Sequence, residues 1–264
     1  MSSELAGQIV LRTKDAWHLM TTEIDISIVI PALNEAKRLP LTLDSLVNQH
    51  EGFPGIRIGE VIVVDDGSSD ETSVVAKSFA DKLPGVIVEI LPVNRGKGFA
   101  VRRGIEIATS EWILVADADM STPWDQMSKL VSHVADGSFD IAIGSRGLSE
   151  SDVTTRQSFI REHLGKSFNV LIRMLTRLPF SDTQCGFKLA RRRGVIDFAG
   201  KLQIDRFAWD VEFLILAQDH GMKVVEVPVS WEHRDASRVN PLFDGFDMAK
   251  AVVSLQLRRL FRRS

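Results

Sequence analysis

EVIVVDDGSSDETSVVAKSFADKL, residues 60–83, reads as a strand, a turn and a helix in direct succession. Glu60–Asp66 is a β-branched run with no alternation, the pattern of a strand buried on both faces. Gly67 and the acidic and hydroxyl residues around it supply turn chemistry. Ser69 or Asp70 then offers a helix N-cap, with acidic residues in the first turn and Val74, Val75, Phe79 and Leu83 at helical spacing. The same rhythm recurs on either side, in ISIVIP (26–31), VIVEIL (86–91), WILVADAD (112–119) and DIAIGS (140–145), each separated from the next by a helix-length segment. Buried strands alternating with helices predict an α/β fold, a mostly parallel central sheet flanked by helices on both faces. Beyond residue 146 the pattern loosens into a helix over 159–176, a loop LPFSDTQCGFK (178–188), a helix near Trp209–His220, a strand KVVEVPVSW (223–231) and a closing helix.

Composition sets the outer bounds. The 264 residues suit one large domain, taken here as 23–241, with an N-terminal arm over 1–22 and an amphipathic basic helix over 242–264. A formal net charge of −3 gives no reason to expect nucleic acid, so anion binding must be local. The single Cys185 excludes an internal disulfide. No secretory leader is legible, and no apolar run reaches the roughly 20 residues that span a bilayer. The expected setting is cytoplasmic, with any membrane contact peripheral and on the cytoplasmic face.

In open α/β sheets, ligands lie beyond the carboxyl ends of the strands. Polar groups collect there in this chain: Asn34 and Glu35 after the first strand, Asp65 and Asp66 after the second, Asn94 and Arg95 after the third, Asp117 and Asp119 after the fourth, and Arg146 after the fifth. Asp117 and Asp119, one residue apart, can share a side of an extended backbone, where a hard divalent cation such as Mg²⁺ or Mn²⁺ would neutralise them. A bare D-x-D is more often a solvated loop or a cap, and its place at a strand end is what favours an ion. Asp65 and Asp66 read either as a tight turn or as acceptors for a base edge or ribose hydroxyl. Gly96 and Gly98 around Lys97 open a helix, as a phosphate cradle or as a plain turn. Arg146, Arg156 and Arg161 suit a solvated basic face or the forked recognition of a phosphate. In the closing segment Leu242, Phe246, Ala249, Val253, Leu257 and Leu260 form an apolar stripe, followed by Arg258, Arg259, Arg262 and Arg263. Two readings stand side by side: docking on the core, or, with Phe261 among the arginines, contact with an anionic membrane.

SIVIPALNEAKRL (27–39), EVIVVDDGSSDET (60–72), NRGKGFAVRRGIEIA (94–108), ILVADADMSTP (113–123) and IGSR (143–146), in that order and spacing, resemble the family 2 glycosyltransferases with the nucleotide-sugar-binding GT-A fold. DTQCGFKL (182–189), RFAWDVEFLILAQ (206–218) and VEVPVSWEHRDASRV (225–239) are similar to dolichyl-phosphate β-glucosyltransferases and the related dolichyl-phosphate mannose synthases, so that the resemblance covers about residues 24–255. It implies that Asp65 and Asp66 bind the nucleoside in a pocket lined by Pro31 and Glu35, and that Asp117 and Asp119 hold Mg²⁺ or Mn²⁺ against the sugar diphosphate. By the same resemblance Arg146 and Arg156 grip a lipid phosphate, while Arg234, Ser237 and Arg238 close on the diphosphate. Gly96 and Lys97 belong to the substrate-binding set. Asp182, Asp210 and Glu212 are candidates for orienting acceptor or sugar.

The resemblance also implies an activity: inverting transfer of a hexose, glucose before mannose, from UDP-glucose or GDP-mannose to polyprenyl phosphate. A soluble phosphorylated acceptor, or nucleotide-sugar binding without catalysis, are the alternatives. Two departures stand out. Ser121 occupies the place where many mannose synthases carry a glutamine that contacts the metal, and the N-terminal membrane helix usual in the glucosyl relatives is not legible here.

Overall fold

The computed structural model describes residues 23–155, 169–170, 172–232 and 243–263. Its first half runs β1 (Ile24–Ala32), α1 (Leu39–Val47), β2 (Ile56–Asp65), α2 (Thr72–Lys77), β3 (Val86–Ile90), α3 (Lys97–Ile107), β4 (Trp112–Val115), α4 (Gln126–Val134) and β5 (Ile141–Ser145). The second half adds β6 (Asp152–Thr155), β7 (Lys188–Arg191), α5 (Arg192–Ala199), α6 (Trp209–Asp219), β8 (Val224–Pro228), β9 (Ser230–Glu232) and α7 (Phe243–Arg263). Seven strands form one sheet in the order β3-β2-β1-β4-β7-β5-β8, and β6 pairs with β9 in a small second sheet.

Successive residues of the central strands enter opposite layers, which is why the strands read as continuous apolar runs. Ile28, Ile30 and Leu114 join Leu39, Leu43, Met127 and Leu130 on one face. Val29, Ile113 and Val115 join Val101, Ile105, Leu214 and Val252 on the other. The strands expected as parallel are parallel: β1 with β2 and β4, β2 with β3, and β5 with β8.

Three expectations are corrected. The end of the 178–188 loop and the residues after it form β7, which runs antiparallel between β4 and β5 and separates those two strands. Four residues are too few to set a period, and the buried Lys188 breaks the apolar pattern of a central strand. α2 starts later and is shorter than its apolar spacing suggests, and Val74 is exposed. Asp70 and Ser69 are engaged by the loop after β1: Ser69 N donates to Asn34 Oδ1 at 2.7 Å and Ala36 N to Asp70 Oδ2 at 3.2 Å.

The third correction concerns one of the two readings of α7: the stripe read from the sequence is not the face that docks on the core. Val252 is fully buried, with Met248, Ala251 and Leu255 packed beside it, whereas Phe246, Val253 and Leu257 are 63%, 42% and 50% exposed. The helix carries two apolar stripes at helical spacing, and packing selected the other one. No helix among the described residues is long and apolar enough to cross a membrane. The expected arm over 1–22 lies outside the described residues.

Candidate active site

The parallel strands β1, β2, β4 and β5 point their carboxyl ends to one edge of the sheet. β7, being antiparallel, brings its amino end and the loop before it to that same edge. The reversal of one strand thus adds the 181–188 segment to the residues the parallel strands deliver.

Asp66 builds part of this edge from within. It is 3% exposed, and its two carboxylate oxygens accept from Arg95 N at 2.7 Å and Gly96 N at 2.8 Å. Burial raises its pKa against the pull of those two amides. The bonds hold the turn that starts α3, where Gly96 has φ +110° and a side chain would strike Asp205 O. Asp65 is buried likewise, its Oδ1 accepting from Ser68 N at 2.8 Å. Both carboxylates therefore shape the backbone at this edge. Pro31 sits in β1 opposite Val64.

The turn aims Lys97 at the fourth strand. Lys97 Nζ lies 2.6 Å from Asp117 Oδ1. Burial opposes the lysine's charge, but Asp117, Asp210 and Asp119 outweigh it and its pKa is raised. For Asp117 burial is likewise the largest effect, yet Lys97, Lys188 and Arg146 together hold its carboxyl below the usual range.

Asp119 faces a second cation: Arg38 Nη1 lies 3.8 Å from its Oδ2, while Ser121 N donates to its Oδ1 at 3.0 Å. Arg38 is itself gripped by Glu35, with Nε to Oε2 at 2.6 Å. Burial tends to lower the pKa of Arg38, but Glu35, Asp119 and Asp117 raise it. Asp117 and Asp119 thus act on the same two cations, with side chains 35% and 23% exposed. Met120, directly after Asp119, and Asn34, directly before Glu35, both have φ 52°, a left-handed backbone uncommon for non-glycine residues and rarer for methionine than for asparagine.

Arg146, which also acts on the charge of Asp117, forms a forked pair with Asp182. Nε to Oδ2 is 2.6 Å and Nη2 to Oδ1 is 2.9 Å, and the Arg146 backbone N–H adds a third bond at 3.1 Å. Asp182 is buried, but Arg146 outweighs that burial and brings its carboxyl down to about 2. The remaining N–H groups of the guanidinium make no hydrogen bond among the described residues. Asp210, in the first turn of α6, accepts from Lys188 Nζ at 2.5 Å, both groups being buried. Burial nevertheless raises the Asp210 pKa against Lys188 and Lys97. Glu212, two residues further along in the same turn, turns away from the edge and accepts from Gln203 N and Ile204 N at 2.9 and 2.7 Å.

The structure thus brings together Glu35, Asp65, Asp66, Gly96, Lys97, Asp117, Asp119, Arg146, Asp182 and Asp210. Arg156, Arg161, Arg234, Ser237 and Arg238 lie outside the described residues. Two participants were missed in the sequence. Arg38 had one signal, its helical spacing from Glu35. Lys188 had none, because its partners come from β4 and α6.

The donor set is suited to a hard cation. No cluster of three or more His, Cys, Asp or Glu that could hold an ion occurs among the described residues. The described residues offer the carboxylates of Asp117 and Asp119, a sparse set of the kind with which Mg²⁺ shares substrate phosphates and water. Gly186 supports this reading: a side chain there would overlap the Asp117 carboxylate, so its absence keeps that carboxylate accessible.

Comparison with known proteins finds relatives in sequence and in fold. The family model "Glycosyl transferase family 2" matches residues 27–198. The chain is 36% identical over 245 residues to the dolichyl-phosphate beta-glucosyltransferase of Mus musculus, covering 89% of this chain and 76% of the relative. It is 34% identical over 246 residues to the enzyme of that name from Dictyostelium discoideum, covering 90% and 75%. Among solved structures, glucosyl-3-phosphoglycerate synthase from Mycobacterium tuberculosis, in complex with Mn²⁺, UDP and glucosyl-3-phosphoglycerate, superposes with a TM-score of 0.64. That match has 21% identity and covers 92% of this chain and 81% of the other.

Proposed function

We propose that this chain, which belongs to glycosyl transferase family 2, transfers a hexose, glucose before mannose, from a nucleotide sugar to a polyprenyl phosphate, with inversion at the anomeric carbon. The observation that carries the reading is the pair Asp117 and Asp119 at the carboxyl end of β4, with Lys97 bonded to Asp117, Arg38 near Asp119 and Arg146 acting on the charge of Asp117. Acidic and basic groups so interleaved suit a metal-bound diphosphate leaving group and an anionic nucleophile.

Asp117 and Asp119 would hold Mg²⁺ or Mn²⁺; a solved relative of the same fold contains Mn²⁺ together with UDP. When bound, such an ion stabilises the negative charge that develops on the departing nucleoside diphosphate. Lys97 and Arg38 add positive charge where that diphosphate lies, and Asp66 fixes the turn that delivers Lys97. Asp65, Pro31 and Glu35 line the nucleoside side. The uncommitted donors of Arg146 orient the acceptor phosphate, which is anionic at neutral pH and needs no strong base. Asp182 and Asp210 are tied to Arg146 and Lys188, and they act by holding those cations in place. Arg156, Arg234, Ser237 and Arg238 complete the set as phosphate ligands.

A polyprenyl acceptor sets the enzyme at a membrane. The exposed stripe of α7 supports peripheral contact at the cytoplasmic face, since Phe246, Val253 and Leu257 share a helix with Lys250, Arg258, Arg259, Arg262 and Arg263.

Incubation with radiolabelled UDP-glucose, Mg²⁺ and polyprenyl phosphate tests the reading. The expected product partitions into organic solvent and is weaker or absent with GDP-mannose. Labelled product confined to the aqueous phase when a phosphorylated metabolite replaces the lipid would replace this acceptor with a soluble one.

A further inference from the structure

α7 does not seal against the body of the protein. Between it and the 203–208 segment runs an open crevice of about 330 Å³. Half-buried Phe207, Met248, Ala251 and Leu255 line it, and exposed Arg206 and Lys250 stand beside them. Its charged residues are evenly matched, Arg206, Lys250 and Arg258 against Asp205, Glu212 and Asp247, and Asp205 is also paired with Arg95 and Arg102. The distinguishing feature of the lining is therefore its apolar wall.

Both walls of the crevice touch segments that build the candidate active site. The 203–208 segment backs directly onto the turn that presents Lys97: Phe99 N donates to Asp205 O at 3.1 Å, and Arg95 lies 3.5 Å from the Asp205 carboxylate. On the other wall, Gln184 Nε2 reaches Met248 Sδ at 3.2 Å. Gln184 belongs to the segment that holds Asp182 against Arg146 and Gly186 against Asp117. The crevice thus adjoins both the segment that presents Lys97 and the one that holds Asp182.

We propose that this crevice receives the isoprenoid chain of the acceptor while its phosphate lies at Arg146. The assignment rests on the polyprenyl phosphate reading above and adds the place where the chain is recognised. Apolar walls suit a hydrocarbon chain, and removing such a chain from water there favours binding in proportion to the area covered. Recognition of the chain then grows with its length until the crevice is filled.

Ser254 lines the crevice from a half-buried position outside the apolar core, so Ser254→Trp fills it without removing a core contact. Full-length wild type and variant are compared on short-chain and long-chain polyprenyl phosphates, with folding followed by thermal denaturation. The variant is expected to raise KM for the long-chain acceptor about tenfold. KM for the nucleotide sugar and for the short-chain acceptor stays unchanged. In parallel, a benzophenone-tagged long-chain polyprenyl phosphate is photocrosslinked to the wild type, and the label is expected in the peptides carrying Phe207 or residues 248–255. Equal KM changes at every chain length, or label found only elsewhere, overturn the crevice while the acceptor reading stands. A wild type that uses no polyprenyl phosphate of any length overturns both.

Discussion

Lys97 Nζ lies 2.6 Å from Asp117 Oδ1, so one carboxylate of the acidic pair has a lysine partner built into the fold, while Asp119 has the more distant Arg38. The two aspartates therefore differ in what they can offer an ion. Asp119→Ala removes a half-buried carboxylate from the edge of the sheet. It is expected to lower kcat by about 10²–10³-fold with a cooperative melt retained, in line with losing one preorganised charge at a reacting centre. Steady-state kinetics across a Mn²⁺ titration check this, and near-normal turnover would remove the pair from the chemistry.

Gly186→Ala is a one-carbon test of the same carboxylate. The added methyl would overlap Asp117, so that side chain or the 185–187 backbone must shift. Displacement of a reacting group by about 1 Å costs on the order of 10²-fold in rate. The expected result is a loss of that size in kcat with Mn²⁺ binding weakened, read by electron paramagnetic resonance of the free ion.

The buried pair Lys188–Asp210 separates stability from function. Lys188→Met leaves Asp210 buried and unpaired, which costs about 3–5 kcal/mol. The double variant Lys188→Met with Asp210→Leu removes both charges and is expected to regain most of that stability in urea melts. Activity stays low in the double variant, because Lys188 also helps hold Asp117 ionised. Full recovery of activity along with stability would reduce the pair to a packing device.

Acid titration isolates Asp182. Its pKa is depressed to about 2 from an ordinary value of 3.8 by Arg146, against the cost of burial. A carboxylate with a lowered folded-state pKa stabilises the fold above its unfolded pKa, and that contribution is lost as pH falls through the folded value. The window is therefore about pH 4 down to about 2, and the contribution is on the order of 2 kcal/mol. Asp182→Asn should lower the melting temperature at pH 7 and flatten its dependence across that window. Parallel curves for the two proteins would mean that the Arg146 pair contributes nothing to the fold.

The exposed stripe of α7 predicts a measurable membrane affinity. Phe246→Asp with Leu257→Asp changes two outward positions and leaves the buried Val252 and its neighbours intact. The double variant is expected to lose sedimentation with anionic phospholipid vesicles and to keep nucleotide binding by calorimetry. Losing two partly inserted side chains at about 1.5–3 kcal/mol each for full burial predicts at least a tenfold drop in vesicle affinity.

The first half of the chain was legible because its signals are local. Runs such as Glu60–Asp66 and Trp112–Val115 declare buried strands by composition, and the acidic residues that follow them fall at the sheet edge that parallel topology makes common. The second half was harder, because four residues around Lys188 set no period and a charge inside a central strand contradicts the pattern that identifies one.

Two carboxylates at the end of a strand, a glycine-flanked lysine and the strand–helix rhythm were properties of sequence alone, since each depends on neighbours within a few residues. Which face of α7 turns inward, that β7 reverses and brings Gly186 against Asp117, and that Arg38 and Lys188 supply cations to the site were decided only in three dimensions. Those outcomes depend on pairing between distant segments: two stripes of similar hydrophobicity compete for one core, and a buried charge is acceptable only where the fold happens to supply its partner.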